Sequence, residues 1–197
     1  MYDIKEIFGV LAGLFSIASY VPYIRSILNP DPNKRTKPNR ASWFIWAGVS
    51  GIIAVSSYAS GARETIWVPI GYVIGSSIIA LFSIKYGEGG WTPFDQKCIF
   101  VAALSLFFWF IFDSALVALV TTTLVDLSAS MPTVRKVYYE PQKEDKTAWA
   151  LFFLGAIANV LAIREWIFAI ALYPVAMVLV IGFITGLLFL PRKRVLQ

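Results

Sequence analysis

Apolar positions along this chain fall in long uncharged blocks, separated by short basic, polar or glycine- and proline-containing stretches. Measured against the hydrocarbon thickness of a bilayer, the blocks predict seven spans: about Ile7–Leu28, Ser42–Ala59, Ile66–Ile84, Cys98–Phe112, Ala115–Val137, Ala148–Ile163 and Trp166–Leu190. The fourth and sixth are short for a perpendicular crossing. Ile99 to Val134 read as one helix would be roughly 54 Å long, too long to cross once. Asp113 and Ser114 sit near its middle and offer capping side chains, so a tight turn divides it into two spans. The expected class is an all-α membrane protein.

A second pattern lies on top of the first. Ser16 to Trp46 and Asp126 to Phe152 share a proline six residues after a polar or acidic side chain, then a basic stretch, then a tryptophan-led apolar run. Aligning Pro22 with Pro132 brings Arg25 against Arg135, and Trp43 against Trp149 once a short loop difference is allowed. The halves read as copies. Three spans, a linker span and three more let both copies point the same way. The predicted organisation is a first three-helix repeat over 1–87, a linker helix over 88–113 and a second repeat over 114–197. Parallel repeats of this kind form two bundles that share a site near mid-bilayer.

Composition agrees with the blocks: 58% of the 197 residues are apolar, and the mean hydropathy is +0.69. The first apolar run has full span length and no small-residue cleavage pattern after it, so it is expected to remain in the mature protein. One cysteine and no histidine exclude disulfide frameworks, Cys/His metal clusters and histidine-based triads. Cys98 reads as helix filler. No metal and no cofactor are expected.

Charge tests the topology independently. With seven spans, fourteen of the seventeen cations fall on one side, on the loops after spans 1, 3 and 5 and the C-terminus, leaving Lys5, Arg63 and Arg164 on the other. Positive loops stay in the cytoplasm, so the N-terminus is expected outside and the C-terminus inside. The Lys34–Arg40 loop also fits a nucleic-acid or anionic-lipid patch. Topology-setting charge accounts for it, and no nucleic-acid partner is expected.

Trp43, Trp67, Trp91, Trp149 and Trp166 fall near span ends, where indoles anchor at the headgroup boundary. Trp46 and Trp109 lie deeper, where packing or lipid contact is the plain reading and cavity lining the sharper one. Pro22 and Pro132 deprive the carbonyls of Ala18 and Ser128 of their helical partners, predicting two matched hinges, with inherited packing geometry as the competitor. Pro69 falls in the first turn of its span and needs no role, whereas Pro174 adds a further kink.

Asp126 is the leading site candidate. It lies about halfway along span 5, where an ionised carboxylate is costly, and no cation falls in the interior of a span to pair with it. Protonation, with uptake and release of a proton as water reaches the group, is one resolution, and a cationic substrate is another. The structural alternative is a carboxyl held by hydroxyls such as those of Thr122, Thr123 or Ser130. Its counterpart in the first copy is Ser16, so the site is expected to be asymmetric. Ser16, Ser19 and Tyr20 share one helix face, and Ser130 stands one turn from Asp126. Asn159, Ser76 and Ser77 are weaker candidates, equally suited to stitching helices together.

The doubled proline, basic loop and tryptophan unit in a 3+1+3 arrangement resembles the PQ-loop superfamily, which includes the SWEET sugar transporters. The resemblance covers nearly the whole chain and implies the SWEET-like fold. Pro22-Tyr23 and Pro132-Thr133 stand where that family carries Pro-Gln, and Pro141-Gln142 lies in a loop. Spans 2 and 6 lack proline and spans 3 and 7 lack asparagine, so the resemblance does not extend to sugar specificity. An aspartate on the kinked helix is similar to that of the proton-coupled amino-acid exporters of the superfamily, which implies a coupling role for Asp126.

The resulting expectation is a transporter of a small polar solute, with protons as a candidate co-substrate. It would rock about Pro22 and Pro132, with Asp126, Ser16, Ser19, Tyr20, Ser130 and Asn159 along the pathway. A monomer suffices for one pathway, and homo-oligomers are compatible with it. The alternative is a non-transporting receptor or assembly factor on the same fold. Enzymatic activity is not expected, because no second carboxylate, metal cluster or activated nucleophile accompanies Asp126.

Overall fold

A computed structural model describes residues 3–89, 93, 96, 97, 100, 104, 107, 111 and 114–190. Most of the expected fourth span at Cys98–Phe112 and the turn residue Asp113 lie outside the described residues, as do Cys98, Trp91, Trp109 and the C-terminal cations. Among the described residues there are six named α-helices and no strand: α1 (Ile4–Ile27), α2 (Arg40–Ala59), α3 (Trp67–Tyr86), α4 (Ala115–Tyr139), α5 (Lys146–Leu161) and α6 (Phe168–Phe189). All but α5 are long and apolar enough to cross a membrane, and α5 is an apolar helix of 16 residues. The protein is thus an all-helical chain with the build of a membrane protein.

Polar caps set where the helices begin. Asp3, Asn39, Ser114 and Asp145 each accept a hydrogen bond from a backbone N–H in the first turn of α1, α2, α4 and α5. Ser114 therefore starts α4, at the break expected from the sequence. The helices run on through Pro22, Pro132 and Pro174.

Their faces are sorted as a lipid solvent requires. Large apolar side chains such as Leu14, Ile74, Leu81 and Leu179 point outward, whereas Gly9, Ala12, Gly13, Ser16 and Ser19 of α1 are buried against neighbours. Small residues let backbones approach closely where lipid supplies no hydrophobic drive between helices. A Cβ added at Gly9 would meet the backbone oxygen of Glu64, and one at Gly75 would land on the Tyr20 ring.

Neighbour relations close a ring in the order α1, α3, α2, α4, α6, α5 and back to α1. One end of the bundle carries Asp3, Lys5, Glu64, Leu161 and Arg164, joined by hydrogen bonds and ion pairs. Lys37, Glu88, Lys136, Lys143 and Glu144 meet at the other. We refer to these as the Asp3 end and the Glu144 end. Helices α1, α3, α4 and α6 run toward the Glu144 end, and α2 and α5 return. For α6 this follows from the Lys146 ammonium at the start of α5, which lies 5.5 Å from the Phe189 ring.

Candidate functional site

Asp126 occupies the middle of α4 and is 7% exposed. Among the described residues its carboxylate has no hydrogen-bond or ion-pair partner. Its backbone carbonyl accepts from the Trp46 indole N–H at 3.3 Å, which pins that ring beside it. The carboxylate borders a central cavity of about 60 Å³. At roughly 10–15 Å³ per water, that is space for a few water molecules.

All six helices contribute to the wall. α1 supplies Tyr20, α2 supplies Trp43, Trp46 and Ser50, and α3 supplies Tyr72 and Ser76. From the other half come Ser130 beside Asp126, then Trp149 and Phe152 of α5, and Tyr173 and Met177 of α6. The aromatic rings interlock edge to face, Trp46 on Trp43 at 5.0 Å and Tyr20 on Phe152 at 5.0 Å. Tyr20, Tyr72 and Tyr173 lie within electrostatic range of Asp126, and the Tyr72 hydroxyl has no partner.

The remaining polar wall groups are mostly engaged. Ser130 Oγ donates to Leu127 O at 2.6 Å, Ser50 Oγ donates to Ala47 O at 3.3 Å, and Ser76 Oγ donates to Tyr72 O. Such bonds to the preceding turn are how hydroxyls are usually accommodated in apolar helices.

A buried network roofs the cavity toward the Glu144 end. Trp43 Nε1 donates to Tyr23 Oη at 3.3 Å, and Tyr23 Oη donates to Glu144 at 3.3 Å. Trp149 Nε1 donates to the other Glu144 oxygen at 2.9 Å. Lys136 pairs with Glu144, and both side chains are almost fully buried. The Lys136 ammonium also donates to Lys37 O at 2.6 Å, tying the α1–α2 loop to α4. Lys143 bridges Glu88 at 3.1 Å and Glu140 at 2.8 Å. These hydrogen bonds and charges hold the Lys143 ammonium above its usual range, the bond to Glu140 foremost.

The opposite end is held by an exposed clasp. Arg164, after α5, pairs with Asp3 and, at 2.9 Å, with Glu64. The backbone N–H of Lys5 and the neighbouring Arg164 keep the Asp3 carboxyl below its usual range. Lys5 adds a bond to Leu161 O at 2.8 Å.

Of the residues expected on the pathway, Asp126, Tyr20 and Ser130 border the cavity. Ser16, Ser19 and Asn159 are buried outside its lining. Ser19 Oγ donates to Ser16 O at 2.6 Å. Among the described residues, the Ser16 hydroxyl and both amide atoms of Asn159 have no partner. Ser76 is on the wall, whereas Ser77 is exposed and bonds its own helix.

Two anchor assignments are corrected. Trp43 and Trp149 are 3% and 4% exposed and line the cavity, so they are not headgroup anchors. Trp67 and Trp166 remain exposed, as an anchor requires. The sequence reading also missed Glu144, the phenols Tyr72 and Tyr173, and the buried role of Lys136, which it counted among the topology-setting cations. Polar-tipped aromatics within apolar runs were the available signal for the phenols. No family model, curated protein or solved structure matches this chain.

Proposed function

We propose that this chain is an integral membrane transporter of a small polar solute. It would work by alternating access between two parallel three-helix bundles, a SWEET-like 3+1+3 arrangement in which 88–113 supplies the linker. The observation that carries the reading is Asp126: a buried carboxylate, unpaired among the described residues, lining a cavity between the two halves, with a polar clasp at each end. Charge left unpaired at mid-depth is costly and persists where an occupant or water reaches it.

Several features support the duplication behind this reading. The ring order is unchanged when α1, α2 and α3 are exchanged for α4, α5 and α6. The cavity wall is contributed in pairs, Tyr20 with Ser130, Trp43 with Trp149, Trp46 with Phe152, Tyr72 with Tyr173 and Ser76 with Met177. Arg40 at the start of α2 donates to Ser83 O near the end of α3 at 3.0 Å. Lys146, at the matching point of α5, reaches the end of α6. Glu88 and Ser114 lie at opposite ends of the bundle, which favours a linker span between them.

The Glu144 end, where Lys37, Arg40, Lys136, Lys143 and Lys146 gather, would face the cytoplasm. Pro22 and Pro132 would act as hinges beneath that end, and protons are the candidate co-substrate through Asp126. All six described helices of one chain contribute to the cavity wall, so a monomer would be sufficient for one pathway.

A non-transporting receptor or assembly factor is the second reading. What favours it is that Tyr23 and Thr133, at the positions of the family glutamines, are engaged in packing bonds to Glu144 and Ser42. The deciding measurement is proteoliposome flux of sugars, amino acids, amines and vitamins with an internal pH dye, for wild type and Asp126→Asn. Flux of at least one solute that is lost or uncoupled from protons in the variant is expected. Absence of flux for every class, from protein shown to be folded, would leave the receptor reading standing.

A further inference from the structure

The chemistry of the cavity wall narrows the occupant. Asp126 brings the one formal charge among the described lining residues, and it is negative. The three indole N–H groups at the wall point elsewhere: Trp43 to Tyr23, Trp149 to Glu144 and Trp46 to the Asp126 carbonyl. Ser50, Ser76 and Ser130 direct their protons to backbone carbonyls of their own helices. What remains in the lining is the Asp126 carboxylate, the phenol rings of Tyr20, Tyr72 and Tyr173, and aromatic and aliphatic carbon, the latter from Met177, Val180, Ile181 and Ile184. Among the described lining residues no arginine or lysine is present to receive a carboxylate or phosphate, so an anion or an amino-acid zwitterion would set its negative group against Asp126. A sugar would find few free donors for its oxygens. A hard metal ion would meet one carboxylate among rings, where six or more oxygens are its usual shell.

Resting on the transport reading of this site, we propose that its ligand is a compact organic cation, an alkylammonium headgroup held by Asp126 and by the electron-rich ring surfaces around it. Aromatic walls attract ammonium groups through their quadrupoles, most strongly where the cation is desolvated. The small cavity selects a compact head over a long or branched one.

The test separates this inference from transport. Purified full-length protein in nanodiscs is titrated with tetramethylammonium and choline, with 3,3-dimethylbutan-1-ol as the neutral isostere, and binding is followed by calorimetry and tryptophan fluorescence. The cations should bind and the isostere should be weaker by about tenfold or more. Asp126→Asn should lose at least that much cation affinity, and Trp46→Leu a smaller part, while both variants keep their helicity and cooperative melting. Equal binding of cation and isostere, or no ammonium binding by folded wild type, overturns the inference. So does Asp126→Asn retaining wild-type affinity, and if that variant fails to fold, the isostere comparison alone decides. Ammonium binding without flux in proteoliposomes rejects transport and leaves the cation site intact. Flux of neutral solutes alone keeps transport and removes the cation site.

Discussion

Glu144 and Lys136 illustrate how much one buried pair can decide. Glu144 receives Tyr23, Trp149 and Lys136, so both carboxylate oxygens are satisfied in a setting that would otherwise reject them. Removing one charge strands the other. Glu144→Gln should therefore destabilise the fold by about 3–5 kcal/mol, read as a lower melting temperature in detergent. The double change Lys136→Met with Glu144→Leu should recover most of that loss, because matched apolar replacement is often neutral. If the single variant melts like wild type, the network does not hold this end. Little of it was legible beforehand. Lys136 in the last turn of α4 and Glu144 in the loop after it belong to a stretch of mixed charge, and nothing local announces that Tyr23, 121 positions away, will meet Glu144. Asp126 was legible for the opposite reason: a carboxylate amid apolar residues has no bland setting. Trp43 and Trp149 misled because an indole one turn inside a span looks the same from sequence whether it faces headgroups or a neighbouring helix.

At the level of elements, the described spans were legible because their uncharged length leaves few alternatives, and the cap at Ser114 marked the start of α4, whereas the caps at Asn39 and Asp145 start α2 and α5 two residues before the expected spans. Which face of each helix turns inward was harder, since nearly every face is apolar and the sorting is by size. Gly75 carries a consequence of that sorting. A methyl group there would strike the Tyr20 ring, which lines the cavity. Gly75→Ala should displace Tyr20 and weaken occupancy of the cavity, whereas Gly48→Ala, with open space around its Cβ, should leave it unchanged. Comparing ligand binding of the two variants checks this, and equal affinities would refute it. The prolines make a separate prediction. Replacing Pro22 or Pro132 with alanine restores a helical N–H and removes the ring clash with the preceding turn. Stability should hold or rise while flux falls. A variant with unaltered turnover would reduce the prolines to inherited packing geometry.

For the whole molecule the question is whether the two ends open in turn. The Asp3 end is closed by an exposed clasp and the Glu144 end by a buried one, so the second should open more reluctantly. Asp3 has its carboxyl held below the usual range, so its contribution is present above the ordinary aspartate pKa near 3.9 and is lost only as pH falls further. Any pH dependence of flux between about 5 and 8 should therefore survive Asp3→Asn, and flux measured across that range in the variant checks it. Opening in turn can be tested directly. In a Cys98→Ser background, cysteines at Lys37 and Lys143, whose backbones are joined by a 3.2 Å hydrogen bond, can be oxidised to lock the Glu144 end. Cysteines at Asp3 and Arg164, whose side chains pair, lock the other end through a reducible bifunctional thiol crosslinker that spans the length of the ion pair. A reporter cysteine at Met177, on the cavity wall, is then labelled with a membrane-impermeant maleimide from each side in turn. With the Glu144 end locked, labelling should come only from the Asp3 side, with the Asp3 end locked only from the opposite side, and reduction should restore both. Two bundles rocking about one site require that switch, because closing one end must leave the other free to open. A reporter reached from the same side under both locks, or from neither, would mean that the halves do not move against each other.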